Sequence, residues 1–96
     1  MKFEWDESKN QKNIKKHGVS FEQASAIFES FTLDYIDDHN DYGEVREISI
    51  GRINQVTYLA IIHTDRNGIC RIISARQASK KERKHYEEEL QKTFDS

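Results

Sequence analysis

The sequence predicts an α+β domain in which two N-terminal helices and one C-terminal helix flank a small antiparallel sheet of four strands. Three observations predict this class. The 96 residues contain no proline, linker or repeat, so we expect one domain spanning residues 1–96. Helix-capping residues occur near both ends of the chain. Between them lie four segments rich in β-branched residues, and a short extra strand is expected at the N-terminus.

The N-terminal quarter of the chain predicts one short strand followed by two helices. Residues 2–5 alternate in polarity, as short strands do. Asp6 is the predicted N-cap of the first helix, and Gly18 is the residue expected to end it. A capping box that begins at Ser20 opens a second helix, whose apolar stripe extends to Phe31.

The middle and the end of the chain predict a meander and a last helix. The predicted strands are residues 32–37, 46–53, 56–64 and 69–76. An acidic loop, residues 38–43, follows the first strand, and Asn67-Gly68 is a strong hairpin signal. A capping box from Ser79 to Glu82 opens the last helix. We expect the helices on one side of the sheet, leaving a shallow basic surface on the other.

Composition and cysteine usage exclude several classes of protein. No apolar run approaches the ~18 residues of a membrane span, and no signal-peptide pattern is present, so we expect a cytoplasmic protein with no membrane contact. The single cysteine, Cys70, excludes an internal disulfide and lies in a predicted strand, where a thiol is usually buried. The four histidines and Cys70 show no short-spaced ligand pair, so we expect no metal and no cofactor.

The net charge of −2 hides a strong segregation of charge along the chain. Residues 1–20 carry +2, residues 21–50 carry −7, residues 51–85 carry +6 and residues 86–96 carry −3. Such segregation favours a face that binds a polyanion opposite an acidic face. The alternative, that folding interleaves the blocks, stays open.

Arginines in the predicted strands are the clearest candidates for function. A long cation in a strand must be solvated, paired with an acid, or functional. Strand alternation places Arg46 and Arg52 on one face, together with Ile48 and Ile50. It places Arg76 and Arg71 on opposite faces of the last strand unless a bulge intervenes. Each arginine could instead pair with a surface carboxylate.

Two further sets of residues have a functional and a structural interpretation. Lys15, Lys16 and His17 either stabilise the dipole of the first helix or hold a phosphodiester, with the histidine moving a proton. His63, at the end of the central strand, is equally ambiguous. The cationic run from Lys80 to Lys84 is either a solvated face or a set of phosphate contacts.

Two blocks of the sequence resemble the BrnT family. The opening block comprises Phe3-Glu4-Trp5-Asp6, Lys9, Asn13, Lys16-His17-Gly18-Val19, Ser20-Phe21-Glu22 and Ala24. The closing block comprises residues 71–76 (Arg-Ile-Ile-Ser-Ala-Arg), Ala78, Glu82-Arg83 and Tyr86. The blocks lie at the two ends of the chain, so the resemblance covers nearly all of it.

The resemblance implies a toxin of a bacterial type II toxin–antitoxin module. It implies a RelE-like fold and a ribonuclease activity that arrests translation without a metal. It also implies a BrnA-like antitoxin with a ribbon-helix-helix region, through which the complex binds operator DNA and represses its own operon. The alternative is a degenerate, non-catalytic module that still binds the antitoxin and serves as a corepressor.

RNA cleavage through the 2′-oxygen needs cations at the phosphate and a group that moves protons. We expect Arg76 and Arg52 to carry the phosphate charge, Lys16 and His17 to lie close to the site, and Glu47 or His63 to be the base. The expected RNA contacts are Lys9, Lys12, Lys15, Arg71, Lys80 and Arg83. Glu82 and Tyr86 are expected to hold the last helix on the sheet.

Overall fold

The computed structural model describes residues 1–37 and 43–95, with the side chain of residue 95 left aside. The helices are α1 (Glu7–His17), α2 (Phe21–Ser25) and α3 (Lys80–Asp95), and a 3₁₀ turn at Ala26–Glu29 follows α2. The strands are β1 (Phe3–Glu4), β2 (Leu33–Asp37), β3 (Arg46–Arg52), β4 (Tyr58–Arg66) and β5 (Ile69–Gln77). The predicted acidic loop lies mostly outside the described residues. No helix of the described ranges is long and apolar enough to cross a membrane.

The sheet has five strands in the order β1-β5-β4-β3-β2. The four predicted strands form the antiparallel part. The prediction of a four-stranded antiparallel sheet is corrected by β1, which pairs in parallel with the start of β5 and makes the sheet mixed. The pairing is anchored because Phe3 and Trp5 pack against the core on either side of Glu4.

Helices cover both faces of the sheet, which corrects the prediction that they lie on one side. On the α1/α2 face, Phe21, Ala24 and Ile27 pack on Leu59 and Ile61. On the α3 face, Tyr86 and Leu90 of the last helix pack with Ile50, Tyr58 and Ala60. Because neighbouring residues of a strand point to opposite faces, Leu59 and Ala60 belong to different layers. The α3 face is covered only at one end, since Ile48, Ile62 and Ser74 remain half-buried.

Local capping signals are confirmed. The Asp6 side chain accepts a hydrogen bond from Lys9 N, and Gly18 ends α1 with a left-handed φ of 72°. The predicted box at Ser20 is complete, as is the one in which Ser79 and Glu82 exchange hydrogen bonds. The second helix is shorter than its apolar stripe, because the 3₁₀ turn replaces its last part.

A bulge in the β4–β5 pair decides which way the arginines of β5 point. The register shifts between Ile62 and His63, so Ile62 lies opposite Ser74 while His63 lies opposite Ile72. One extra residue on β5 reverses its alternation beyond that point. Arg71, opposite Thr64, therefore shares the α3 face with Arg76, opposite Ala60. This corrects the placement of Arg71 and Arg76 on opposite faces.

Candidate functional site

Five arginines of three strands share the α3 face. Strand register places Arg46 and Arg52 there from β3 and Arg66 there from the end of β4, and the bulge places Arg71 and Arg76 there from β5. Each has a carboxylate within 4 Å. The pairs are Arg46–Glu44 at 3.8 Å, Arg52–Glu87 at 3.9 Å, Arg66–Glu44 at 3.3 Å, Arg71–Glu4 at 3.5 Å and Arg76–Glu82 at 2.7 Å. The predicted basic face therefore exists, but its arginines are accompanied by acids.

The closest of these pairs joins Arg76 to the start of α3. Nη1 and Nη2 of Arg76 donate to the two Glu82 carboxylate oxygens at 2.7 and 3.0 Å, a bidentate geometry. Hydrogen bonds from Arg76 are the main reason that the pKa of Glu82 falls to about 2. The Tyr35 hydroxyl of β2 donates to the same carboxylate at 3.1 Å. Glu82 thus links β5 to β2 across the sheet.

The guanidinium of Arg76 keeps two N–H donors that no described residue accepts. A guanidinium has five N–H donors. Within the described residues, Glu82 takes two of them and the Gln77 carbonyl takes a third. The Nε–H and one Nη2–H remain, and the side chain is 35% exposed. The neighbouring floor of Ile48, Ile62 and Ser74 is half-buried, so a ligand can approach these donors.

Arg52 lies on the same face but at the covered end. Its partner Glu87 also accepts a hydrogen bond from the Tyr58 hydroxyl. The guanidinium of Arg83 stacks over the Tyr58 ring at 4.6 Å, so part of its predicted RNA-contacting charge faces an aromatic ring. Tyr86 is 1% exposed and donates a hydrogen bond to the Phe31 carbonyl.

Helix α1 is attached to the outer edge of β5 by a buried asparagine. The Asn13 amide donates to the Ala75 and Val19 carbonyls, each at 2.8 Å, and its oxygen accepts from Ala75 N at 3.2 Å. Asn10 holds the start of α2 by accepting from Phe21 N. The two amides replace the apolar residues that usually fix a helix to a sheet.

Three lysines of α1, Lys9, Lys12 and Lys16, form a cationic stripe next to the side of the helix that contacts β5, whereas Lys15 lies on the opposite side of the helix. A residue advances about 100° around a helix, so Asn13 lies about 60° from Asn10 and Lys16 lies about 60° further in the same direction. Since Asn10 faces α2 and Asn13 faces β5, Lys16 and Lys9 are turned toward the α3 face. Lys9, Lys12, Lys15 and Lys16 are exposed, and none forms an ion pair with a described residue. His17, half-buried, follows them at the end of the helix.

The two predicted bases lie on the other face. His63 is 9% exposed, packs edge-on against Phe28, and lies opposite Glu47 in the ladder. Its Nε2 is 2.7 Å from Ser49 Oγ, which donates to Asp34 Oδ1 at 2.5 Å. Burial is the largest influence on the His63 pKa and lowers it. The sheet therefore separates Glu47 and His63 from Arg76 and Arg52, because β3 and β4 alternate without interruption between them.

The remaining predicted residues are placed as follows. Lys80 is exposed at the start of α3. Cys70 is 7% exposed, and burial raises the pKa of its thiol to about 11, which suits a structural role. Among the described residues, no group of three His, Cys, Asp or Glu side chains is arranged to hold a metal ion.

Two residues that matter in the structure were given no role from the sequence. Tyr35, which was not singled out, completes the Arg76–Glu82 arrangement, and Asn13, which the opening block contains, attaches α1 to the sheet. Asp6 and Gly18 set the bounds of α1, and Asn13 lies on its buried side. A polar residue at such a position could have indicated a hydrogen bond to the sheet. Tyr35 offered no such indication, because its partner lies 47 residues away in the chain.

These features define a small α+β protein with a guanidinium-bearing sheet face and an adjoining lysine-rich helix, a surface suited to a phosphate-bearing polymer. A family model described as the ribonuclease toxin BrnT of type II toxin–antitoxin systems matches residues 5–82. The chain therefore belongs to the BrnT family, which confirms the resemblance seen in the two sequence blocks.

A solved structure supports the same assignment. The crystal structure of the Brucella abortus ribonuclease toxin BrnT matches with a TM-score of 0.62 and 29% sequence identity, covering 83% of this chain and 99% of that one. No curated protein matches the chain.

Proposed function

We propose that this chain is the ribonuclease toxin of a type II module and that it cleaves RNA on the open part of the α3 face. The observation that carries the proposal is the Arg76 guanidinium, which Glu82 holds bidentately while two of its N–H donors have no acceptor among the described residues. The family assignment supports the reaction class. On the same basis we propose a RelE-like catalytic architecture.

Arg76 is assigned the role of binding the scissile phosphate. Attack of a 2′-oxygen on the adjacent phosphorus breaks the bond to the 5′-oxygen, which takes up a proton from water and departs as a hydroxyl, and leaves a cyclic phosphate. Negative charge grows on the non-bridging oxygens in the transition state, where fixed donors are most effective. Glu82 acts as a positioning residue, because it fixes the plane of the guanidinium. It is a poor base, since its pKa lies at about 2.

Proton transfer is assigned to the end of α1. Lys16 and His17 lie beyond Asn13, which is bonded to Ala75, the neighbour of Arg76 in β5. His17 is the histidine of α1, and an imidazole can take the 2′-hydroxyl proton near neutral pH without a metal. Lys9 and Lys12 are assigned contacts that lead the RNA backbone toward this point, and Lys15, on the opposite side of the helix, is assigned an outer phosphate contact. Arg52, Arg71, Lys80 and Arg83 are assigned outer phosphate contacts.

Glu47 and His63 are not assigned a direct role in the reaction. Both lie on the α1/α2 face, and His63 is enclosed by Phe28 and Ser49. A group on that face has no path to a phosphate at Arg76. We propose that they stabilise the sheet.

The proposed partners follow from the type of module. We propose a BrnA-like antitoxin with a ribbon-helix-helix region, which neutralises the toxin and binds operator DNA in complex with it. The toxin itself contacts DNA only through that complex.

The test is induced expression of the chain and of two arginine variants, followed by mapping of RNA ends. Arg76→Ala is expected to lower the cleavage rate by at least about 100-fold, the usual effect of removing a donor to a developing oxyanion. Arg66→Ala is the matched control, because Arg66 is also ion-paired, with Glu44 at 3.3 Å, at the distal hairpin. Full cleavage by a folded Arg76→Ala variant would refute the site.

A second function, the non-catalytic corepressor, is favoured by one observation. Every strand arginine of the α3 face has a carboxylate within 4 Å. If these acids neutralise the face, the parent chain cuts no RNA in the same experiment. Antitoxin binding and operator repression would then remain as its activities.

A further inference from the structure

A tyrosine and an arginine form a stacked pair where α3 covers the end of the sheet. The guanidinium carbon of Arg83 lies over the Tyr58 ring, 4.6 Å from its centre, which is within the range of a cation–π contact. Tyr58 is 8% exposed, and Tyr86 packs edge-on against it with ring centroids 5.7 Å apart. Tyr58 is therefore a fixed support, and Arg83 is the exposed member of the pair.

The carboxylate nearest to Arg83 along its helix is bound elsewhere. Glu87 lies four positions further along α3, a spacing at which opposite charges on a helix commonly pair. Its Oε1 instead accepts a hydrogen bond from the Tyr58 hydroxyl and lies 3.9 Å from Nη1 of Arg52. Arg83 forms no ion pair with any residue of the described ranges. Its guanidinium is therefore held by the aromatic ring and not by an acid.

The stacked pair adjoins the Arg76 site. Tyr58 and Ala60 are two positions apart in β4 and point to the same face. Arg76 lies opposite Ala60, so Tyr58 and Arg76 are diagonal neighbours, at a typical separation of about 7–8 Å. The same turn of α3 contacts both, through Glu82 at Arg76 and through Arg83 at Tyr58. A strand whose phosphate lies at Arg76 can therefore place a neighbouring nucleotide at Arg83.

A planar, exposed guanidinium supported by an aromatic ring suits a planar ligand. Arginine planes, like aromatic rings, are surfaces on which proteins stack unpaired RNA bases. A carboxylate or a phosphate binds in the plane of a guanidinium, at its N–H edge, and needs no aromatic ring beneath the face. Glu87 beside the pair also adds negative charge that opposes an acidic side chain. The arrangement therefore favours a nucleobase over a purely anionic group.

We propose that Arg83, supported by Tyr58, is a stacking platform for an unpaired base of the RNA, which makes single-stranded RNA the substrate class. The inference rests on the proposed function, because it takes the strand to be the one whose phosphate lies at Arg76. The base stacks on the face of the guanidinium turned away from Tyr58, and the N–H edge remains for the phosphate contact assigned to Arg83. A base inside a duplex is covered on both faces by its neighbours and cannot reach the platform.

The test compares two strands of equal charge that cannot be cleaved, 2′-O-methyl decaadenylate and an abasic 2′-O-methyl decamer. The parent chain is expected to bind the adenylate more tightly. Arg83→Lys keeps the charge and loses the plane, so the ratio of the two affinities should fall at least about fivefold, the lower end of the effect of one stacked base. The salt dependence of binding should stay the same, because the charge is kept. Arg66→Lys, at the distal hairpin, is the matched control and should keep the ratio of the parent chain.

A second measurement observes the platform directly. The Nε–Hε resonance of Arg83 should move upfield when an adenine ring stacks on the guanidinium. We expect this shift in the parent chain with the adenylate. The abasic decamer and a duplex of the adenylate with decauridylate should not produce it, because neither presents an uncovered base.

Three outcomes would overturn the proposal. An unchanged affinity ratio in Arg83→Lys would place the base elsewhere, and an equal loss of affinity for both strands would leave Arg83 a phosphate contact only. Decaglutamate binding that Arg83→Lys weakens more than it weakens adenylate binding would assign the platform to an acidic protein segment. Arg76→Ala should keep the affinity ratio of the parent chain. A parent chain that shows the stacking but cuts no RNA would therefore refute the cleavage proposal alone.

Discussion

The two edges of the sheet are finished in opposite ways. At the β5 edge, β1 and α1 cover the strand, and α1 presents four lysines without ion pairs to described residues. At the β2 edge nothing described covers the strand, and its charged side chains are acidic. The difference teaches that a chain of nearly neutral net charge can still present a cationic surface. This is possible because the unpaired lysines lie beside the β5 edge while the charged residues of β2 are acidic.

This sorting explains a pI of about 6.1 in a protein that we propose to bind RNA. The acidic block of the sequence includes β2, and β3 and β4 lie between this strand and β5. The carboxylates of β2 are therefore separated by two strands from the strand that carries Arg76.

The largest effect is expected where α1 is fastened to the β5 edge. Asn13→Leu removes three buried hydrogen bonds and leaves the Ala75 backbone groups unsatisfied. We expect the free energy of unfolding to fall by about 2–4 kcal/mol, measured by urea denaturation. Asp34→Ala at the β2 edge, which loses one partly buried bond to Ser49, should cost about 1 kcal/mol. Equal losses of the free energy of unfolding in the two variants would show that the side-chain contacts at the two edges stabilise the protein equally.

Features set by neighbouring residues could be predicted from the sequence. The caps at Asp6, Gly18, Ser20 and Ser79 need only residues three or four positions apart, and all four are confirmed. The Asn67-Gly68 turn is confirmed too, with φ values of 55° and 82°. The apolar run of β4 was equally readable, because a strand covered on both faces is apolar throughout.

Features set by distant pairing could not be predicted. The bulge that turns Arg71 to the α3 face depends on how Ile62 and His63 register against β5. α3 lies on the opposite face of the sheet from α2 because Tyr86 packs on Ile50, Tyr58 and Ala60. This packing places the Arg76 site on the opposite face from His63. Strand alternation alone carries no information about either choice.

An intermediate effect is expected for RNA affinity when the lysine stripe is neutralised. In a plot of the logarithm of the binding constant against the logarithm of the salt concentration, each phosphate contact to a single strand contributes ~0.7 to the slope. Replacing Lys9, Lys12 and Lys16 by glutamine should therefore reduce the magnitude of the slope by about 2. Oligouridylate binding at several salt concentrations measures this slope. The variant with Asp34 and Asp37 replaced by asparagine is the control, and a similar loss there would contradict the assignment of RNA to the α1 side.

The smallest effect concerns Glu82, which connects the two edges through Tyr35 and Arg76. Its pKa in the folded chain is about 2, below the ordinary 4.5, so its contribution to stability is complete above pH 4.5 and is lost as pH falls toward 2. Urea denaturation of the parent chain should show this loss, on the order of 1 kcal/mol after solvent screening. The free energy of unfolding of Glu82→Gln should change less with pH over the same range. An identical pH dependence in the two proteins would show that the Arg76–Glu82 ion pair contributes nothing to stability.

The central claim is that RNA binds beside α1 and β5 and not at β2. It is tested most directly by adding 2′-O-methyl decauridylate, which cannot be cleaved, and mapping the amide chemical shifts of the parent chain. We expect the largest shifts in α1 and in residues 71–77, and smaller shifts within Leu33–Asp37, where Tyr35 shares the Glu82 carboxylate with Arg76. Shifts centred on β2, with α1 unaffected, would contradict it.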